Sequence, residues 1–391
     1  MDKMIALIAL LVAFPALSTD MYLPALPLLR AEWGEPLLVI NLTLIGFFAP
    51  YCLFLLIYGP LSDRLGRRRP LMVGIMVYIV ASVLCALSVN ARMMIAARVL
   101  QGAGAAAASA LSMAICKDLY DVSRRERVMA HIAVIMALAP MLAPVIGGWV
   151  LTWLSWPWVF SIQAGLGAVA LVGVRRMPES LKTRTDGNHW QMMGSYVHLV
   201  KNWRFSGLTL AMSVLALPFF AFIAGSSEIY ITGFKMSATK FGYFFAFNAV
   251  AMMAGPFVFG RLCRRYPSRR LMTVGFAGIF TGGVLMLLGP HDQPWGFALP
   301  MWLITFSFGL TRPASNNLIL EQVDRDAGSA SSLIAFTGMM VGVLSMGIIS
   351  LGWSDKVGVL AWMGAGAGGF ALVFWLKMQG EFHRVRTFDP S

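Results

Sequence analysis

Two charged residues sit inside stretches that are otherwise apolar. Asp20 falls within a run near 4 to 26 and Arg98 within one near 93 to 116. An ionised side chain at the centre of a spanning helix costs about 2.5 to 3.5 kcal/mol, so such residues usually face a cavity and act there. Counted from Met4 at about 1.5 Å per residue, Asp20 lies about 24 Å along, in the outer half of a bilayer. Arg98, counted inward from Arg92, lies about 9 Å below the outer surface, at a similar depth. A buried guanidinium needs an acceptor, which Asp20 or a bound substrate could supply. The alternatives are an interfacial Asp20 and a fixed structural pair. Gln101 stands one turn from Arg98 on the same face, and Tyr22 lies beside Asp20. A carboxylate beside a fixed cation suits proton exchange coupled to binding. Glu228, in Gly225-Ser-Ser-Glu-Ile-Tyr230, is about 36 Å along the seventh apolar run and is either interfacial or turned into the cavity. Arg312 nears the end of the tenth run, where it snorkels or lines the cavity.

The elements that must hold these residues are spanning helices. With 391 residues, 58% hydrophobic and 13% charged, the chain has too little charge to cover a water-soluble globule of its size. Windows of the roughly 20 apolar residues that a crossing needs recur near 4–26, 37–62, 70–89, 93–116, 128–151 and 157–174, and again near 205–231, 239–262, 271–289, 296–318, 328–351 and 356–376. These windows predict an all-α membrane protein of twelve transmembrane helices in two six-helix bundles, 1–174 and 205–377. A linker over 175–204 and a tail over 378–391 complete it. The N-terminal run continues through Asp20 without a small-x-small cleavage site, so it is read as a helix and not as a signal peptide.

The charge of +13 would suggest nucleic acid in a soluble protein. Here the bases fall in alternate loops, as the rule for cytoplasmic loops requires, and both termini are expected inside. No nucleic-acid partner is expected. Cys52, Cys85, Cys116 and Cys263 lie in or beside apolar runs without metal-ligand spacing. Neither a Walker lysine nor a Ser/His/Asp arrangement is present, so the chain is read as neither an ATPase nor a hydrolase, with no cofactor and no metal. The glycines around 102–104 and 364–369 lie inside helices and serve close packing.

The orienting element is the basic loop Gly59-Pro-Leu-Ser-Asp63-Arg64-Leu-Gly66-Arg67-Arg68-Arg69-Pro70. Gly260-Arg-Leu-Cys-Arg-Arg265 is a worn copy at the matching place in the second half, a repeat typical of secondary transporters. The first loop resembles the signature between helices 2 and 3 of the major facilitator superfamily, which implies gating roles for Gly59, Asp63, Arg64, Gly66, Arg67 and Arg68. The stretch around Arg98 and Gln101 is similar to that family's helix-4 antiporter motif. Pro140, Ala143, Pro144, Gly147 and Gly148 resemble its helix-5 exporter motif, with alanine at 143 where most members have glycine. The runs from Asp20 to Pro27, from Pro144 to Trp149 and from Ala327 to Leu333 resemble the bicyclomycin/chloramphenicol-resistance (Bcr/CflA) branch of the drug:proton antiporters. The resemblance covers essentially the whole chain. Glu228 departs from it, since that branch has an apolar run there.

What the resemblance implies is a proton-driven antiporter of the bacterial inner membrane that exports small organic molecules by alternating access, as in multidrug and antibiotic efflux, with substrate, protons and lipid as its partners and acting as a monomer. Asp20, Arg98, Gln101, Tyr22 and Glu228 would serve coupling and binding. Export of an endogenous metabolite such as a siderophore, sugar or amino acid is the alternative within the class. A non-transporting sensor or scaffold is the alternative outside it, and with a short linker and tail no signalling domain is expected.

Overall fold

A computed structural model describes residues 3–181, 189–323 and 327–386. Every regular element among them is helical. The first unit opens with α1 (Lys3–Asp20), α2 (Leu26–Trp33), α3 (Leu37–Leu65), α4 (Arg68–Ala86), α5 (Ala91–Leu119), α6 (Val122–Trp153) and α7 (Pro157–Arg176). There follow α8 (His189–Lys201), α9 (Trp203–Ser213), α10 (Leu217–Ser227), α11 (Ala238–Leu262), α12 (Ser268–Leu288), α13 (Pro294–Leu320), α14 (Ala327–Ile349) and α15 (Lys356–Arg386). Eleven stretches among the described residues are long and apolar enough to cross a membrane. The tenth expected run, α13, is 27 residues long. It carries Thr305, Thr311, Arg312, Asn316 and Asn317 and is not among the eleven.

Two runs differ from the straight helices expected. The first breaks directly after Asp20: a 3-10 turn over Leu23–Ala25 separates α1 from α2, with Pro24 and Pro27 at the starts of the two new segments. Proline lacks an amide hydrogen and sits comfortably in a first helical turn, so the chain restarts where its prolines fall. The seventh run is divided by a 3-10 turn over Val214–Ala216 and ends in a π-helical turn, Glu228–Gly233. Single π-turns often mark functional positions. The expected linker contains α8. Its residues 182–188 lie outside the described residues, as does the tail from 387 onward.

By packing, the chain divides into two compact units. One holds Met1–Val197 with Ser226–Ala246 and Ser350–Gly352, the other His198–Gly225 with Phe247–Ile349 and Trp353–Ser391. In the first, α5 packs on α3 and α4, α4 on α7, and α1 on α6. The glycines make this approach possible: a Cβ on Gly102 would lie 2.1 Å from the Phe47 carbonyl oxygen, and one on Gly104 2.6 Å from the Tyr78 nitrogen. Small residues matter here because lipid supplies no hydrophobic drive between helices, so close contact must do so. In the second unit α12 packs on α13 and α15, where Cβ atoms on Gly283 and Gly368 would lie 2.2 Å from the Ala365 nitrogen and 2.3 Å from the Phe280 nitrogen. Large apolar side chains such as Val80, Trp153, Leu288, Leu344 and Trp362 are exposed. A patchwork of this size on the surface suits contact with hydrocarbon rather than water.

Candidate functional site

Arg98 lies on α5 among α1, α3 and α7, and it is fully buried. Its Nε donates to the Thr43 carbonyl at 3.1 Å, and Nη1 donates to the Ser18 carbonyl at 2.9 Å and to Gln101 Oε1 at 2.5 Å. The guanidinium lies 4.5 Å from the Phe47 ring centroid and 5.1 Å from that of Tyr22, a favourable cation–π setting. Its Nη2 has no hydrogen-bond partner, and no carboxylate comes within ion-pair distance among the described residues. Gln101 extends the network, with Nε2 donating to the Ser82 hydroxyl and to Gln163 Oε1, both at 2.8 Å. Gln163 in turn donates to the Leu17 carbonyl at 3.1 Å. Tyr22 bonds through its hydroxyl to Thr43 at 2.9 Å.

Asp20 is the last residue of α1 and is buried. Among the described residues its one hydrogen bond comes from the neighbouring Thr19 hydroxyl at 2.8 Å, and it forms no ion pair with Arg98. The expected meeting of the two charges is therefore replaced by an indirect relation: Arg98 is held by the Ser18 carbonyl, two residues before Asp20, in the last turn of α1. The break that follows Asp20 is fixed from outside by α6, since a Cβ on Gly147 would lie 2.1 Å from the Met21 carbonyl oxygen. On the same helix, Gly148 approaches the Ala238 carbonyl at 2.7 Å by the same measure, and Gly242 approaches that of Pro144 at 2.9 Å. Ala143 and Pro144 are buried, and Pro140 and Pro144 lie inside α6. The helix-5 motif thus packs both on the Asp20 break and on the start of α11.

The signature loop forms a second constellation. Arg67 is buried and reaches Asp63 at 2.6 Å, Asp118 at 2.9 Å and the Ser62 hydroxyl at 2.6 Å. Gly66 has φ +89°, in the left-handed region, and a Cβ there would lie 2.5 Å from Glu179 Oε2. Glycine is required on both counts. Glu179 sits against the first turn of α4 and accepts from the backbone amides of Arg67 at 2.7 Å, Arg68 at 3.2 Å and Leu181 at 3.2 Å. Partial burial acts to raise its pKa, but these amide donors outweigh burial and hold the carboxyl below its ordinary value. An anion at a helix start also satisfies amides that lack an intrahelical partner. The Arg68 guanidinium donates to the Arg175 carbonyl. Gly59 has open space beside it, and Arg64 is exposed.

The model of the Major Facilitator Superfamily matches residues 8–346. The chain belongs to that superfamily. Among superfamily relatives, a chloramphenicol resistance protein of Pseudomonas aeruginosa is 30% identical over 346 residues, 86% of this chain and 81% of that protein. The multidrug transporter MdfA of Escherichia coli O157:H7 is 27% identical over 345 residues, 85% and 82% of the two chains. The solved structure of the nucleoside transporter NupG superposes with a TM-score of 0.78 at 12% identity, covering 97% of this chain and 99% of that one. This is a multi-pass membrane protein of a transporter family, with drug-resistance proteins among its relatives.

For this superfamily member, Asp20 and Arg98 were visible in the sequence, but the partners of Arg98 were not. Thr43, Ser82 and Gln163 complete the Arg98 network, and Glu179 completes the signature loop. A single neutral polar residue in a helix is common, so only the packing shows that these converge. Glu228 was left open between two positions. It is buried, at 7% exposure, and its carboxylate accepts from the Arg30 guanidinium and, at 3.2 Å, from the Thr232 hydroxyl. The structure thus gives it a cation 198 residues away in sequence, with both residues in the first unit.

Proposed function

We propose that the chain is a proton-coupled antiporter that exports small organic molecules from the bacterial cytoplasm by alternating access. It crosses the inner membrane twelve times in two six-helix bundles, 1–174 and 205–377, joined by the 175–204 linker, with both termini cytoplasmic. The observation that carries this reading is Asp20: a buried carboxylate at a helix break, with a single hydroxyl donor and no ion-pair partner among the described residues. A side chain in that position can gain and lose a proton as its surroundings change, which a coupled exchanger requires. Discontinuous helices near binding sites are common in secondary transporters.

In the cycle, Asp20 takes up a proton from the outer side as substrate leaves and gives it up on the inner side as the next substrate binds. Arg98 keeps α1, α3 and α5 in register through backbone carbonyls, and its unpartnered Nη2 and the Tyr22 face are offered to substrate. Gln101 positions Arg98. Glu228 handles substrate or protons when its pair with Arg30 opens. Asp63, Arg64, Gly66, Arg67 and Arg68, with Gly59 one turn before them on α3, gate the inner end. Pro140, Ala143, Pro144, Gly147 and Gly148 keep the Asp20 break closed against proton leak. The relatives named for chloramphenicol resistance and multidrug transport support drug-like substrates. The test is uptake of radiolabelled chloramphenicol and of ethidium into everted vesicles with an imposed pH gradient. Accumulation that collapses with the gradient is expected, and gradient-independent equilibration of both compounds would overturn the reading.

A further inference from the structure

The second unit contains a cavity that the proton-coupling residues do not touch. Arg312, on α13, lines it together with Ser213, Ser315 and Asn316, and Met212 and Ile334 form its apolar side. The guanidinium lies 5.4 Å from the Phe308 ring centroid. It has neither an ion pair nor a hydrogen bond among the described residues. The Ser315 side chain is buried at 5% exposure, and its hydroxyl has no hydrogen-bond partner. Gly338 borders the cation: a Cβ there would make ordinary contact, 3.7 Å from Arg312 Nη1 and 3.9 Å from the Ser213 hydroxyl. A half-buried guanidinium without a side-chain or backbone partner among the described residues and a buried, unsatisfied hydroxyl, both facing one cavity with an apolar wall, form an incomplete set of donors. What would complete it is an anion.

We propose that this cavity is a binding subsite for the carboxylate of an organic anion, with Arg312 as the charged donor and Ser315 as the neutral one; its volume of about 20 Å³ admits the acid group, and the body of the ligand lies outside it. Arginine suits this task because its planar fork meets both oxygens of a carboxylate at once, which a lysine cannot do. Most of the discrimination comes from the cost of leaving these donors unpaired, so a ligand that lacks the acid is disfavoured even when its body fits. The transport reading is needed only to call the bound anion a substrate. The subsite itself stands on the geometry.

The test uses the purified full chain in lipid nanodiscs and two fluorescent probes that differ in one group, dansylglycine and its uncharged amide dansylglycinamide. Binding is followed by dansyl emission excited through tryptophan. The wild type should bind the acid about tenfold more tightly than the amide, the size expected of a charge-assisted contact. Arg312→Gln should bring the two affinities together with the amide affinity unchanged. Arg312→Lys should keep part of the preference, and Ser315→Ala should reduce it about threefold. Equal affinities in the wild type, no binding of either probe, or a preference that survives Arg312→Gln would overturn the subsite. If Arg312→Gln binds neither probe, Arg312→Lys and Ser315→Ala decide: the preference must fall in both while the amide still binds, and otherwise the proposal is wrong. No gradient or turnover enters this measurement. Failure here with intact gradient-driven chloramphenicol uptake removes the subsite alone, whereas failed uptake with an intact preference removes the transport reading alone.

Discussion

Arg98 and Arg312 are both guanidinium groups placed inside long helices, and their surroundings are opposite. Arg98 spends three donors on two carbonyls and a glutamine and lies against aromatic faces. Arg312 has one ring beside it and open space. The first is a cross-link whose charge is tolerated because Nε and Nη1 are satisfied by the fold, with Nη2 alone left over. The second is a cation left waiting for a partner. A buried arginine is thus not a single kind of feature: its satisfied donors report what it does for the fold, and its unsatisfied ones report what it can do for a ligand.

That contrast predicts a ranking of stabilities. Arg98→Ala should have the largest effect, a loss on the order of 3 kcal/mol, because it strands the Ser18 carbonyl in the last turn of α1 and the Gln101 amide oxygen in a dry interior. The midpoint of thermal unfolding in detergent, followed by tryptophan emission, would show it, and a wild-type midpoint would break the comparison. Gly147→Val comes next. Its Cβ cannot fit 2.1 Å from the Met21 carbonyl, so α6 or the break after Asp20 must move. The expected result is a clear fall in the midpoint together with lost transport, and full transport would contradict the packing described.

Glu179→Gln should have a smaller and pH-dependent effect. Because the folded pKa of Glu179 is held below its ordinary value, its contribution is complete above that ordinary value and fades as pH falls through the depressed one. The gap in midpoint between wild type and variant should be constant from neutral pH to about 5 and close under more acid conditions. A gap that widens with acid would reverse the sign and refute the assignment. Arg312→Gln should have the least effect on stability, within about 0.5 kcal/mol of wild type or slightly stabilising, since it removes a half-buried charge that has no partner to lose. A loss as large as that of Arg98→Ala would erase the distinction between the two arginines.

Much of the fold was legible in the sequence because hydrocarbon imposes simple rules. Apolar windows appear as helices, and the basic loop at Asp63 to Arg69 marks a turn between two of them. The break after Asp20 was also within reach, since Pro24 and Pro27 announce new helix starts, but a count of apolar residues passes over them. The partners of Arg98 were beyond reach. Thr43, Ser82 and Gln163 lie on three other helices, and which of their faces meet depends on helix rotation that single-sequence periodicity does not fix in a bundle apolar on every side. Glu179 was hidden for a different reason. It stands in a polar stretch where an acidic residue is unremarked, and its meaning comes only from the amides of Arg67 and Arg68, more than a hundred residues earlier.

The central claim is that Asp20 carries the exchanged proton. It is tested most directly by purified protein in proteoliposomes, with an imposed pH gradient as the only energy source and chloramphenicol as the transported probe, comparing wild type with Asp20→Asn. The account predicts concentrative transport by the wild type and none by the variant, which still binds chloramphenicol and lets it equilibrate. Concentration of chloramphenicol against its gradient by Asp20→Asn would contradict the account and move the coupling to another carboxylate, with Glu228 the next to be replaced.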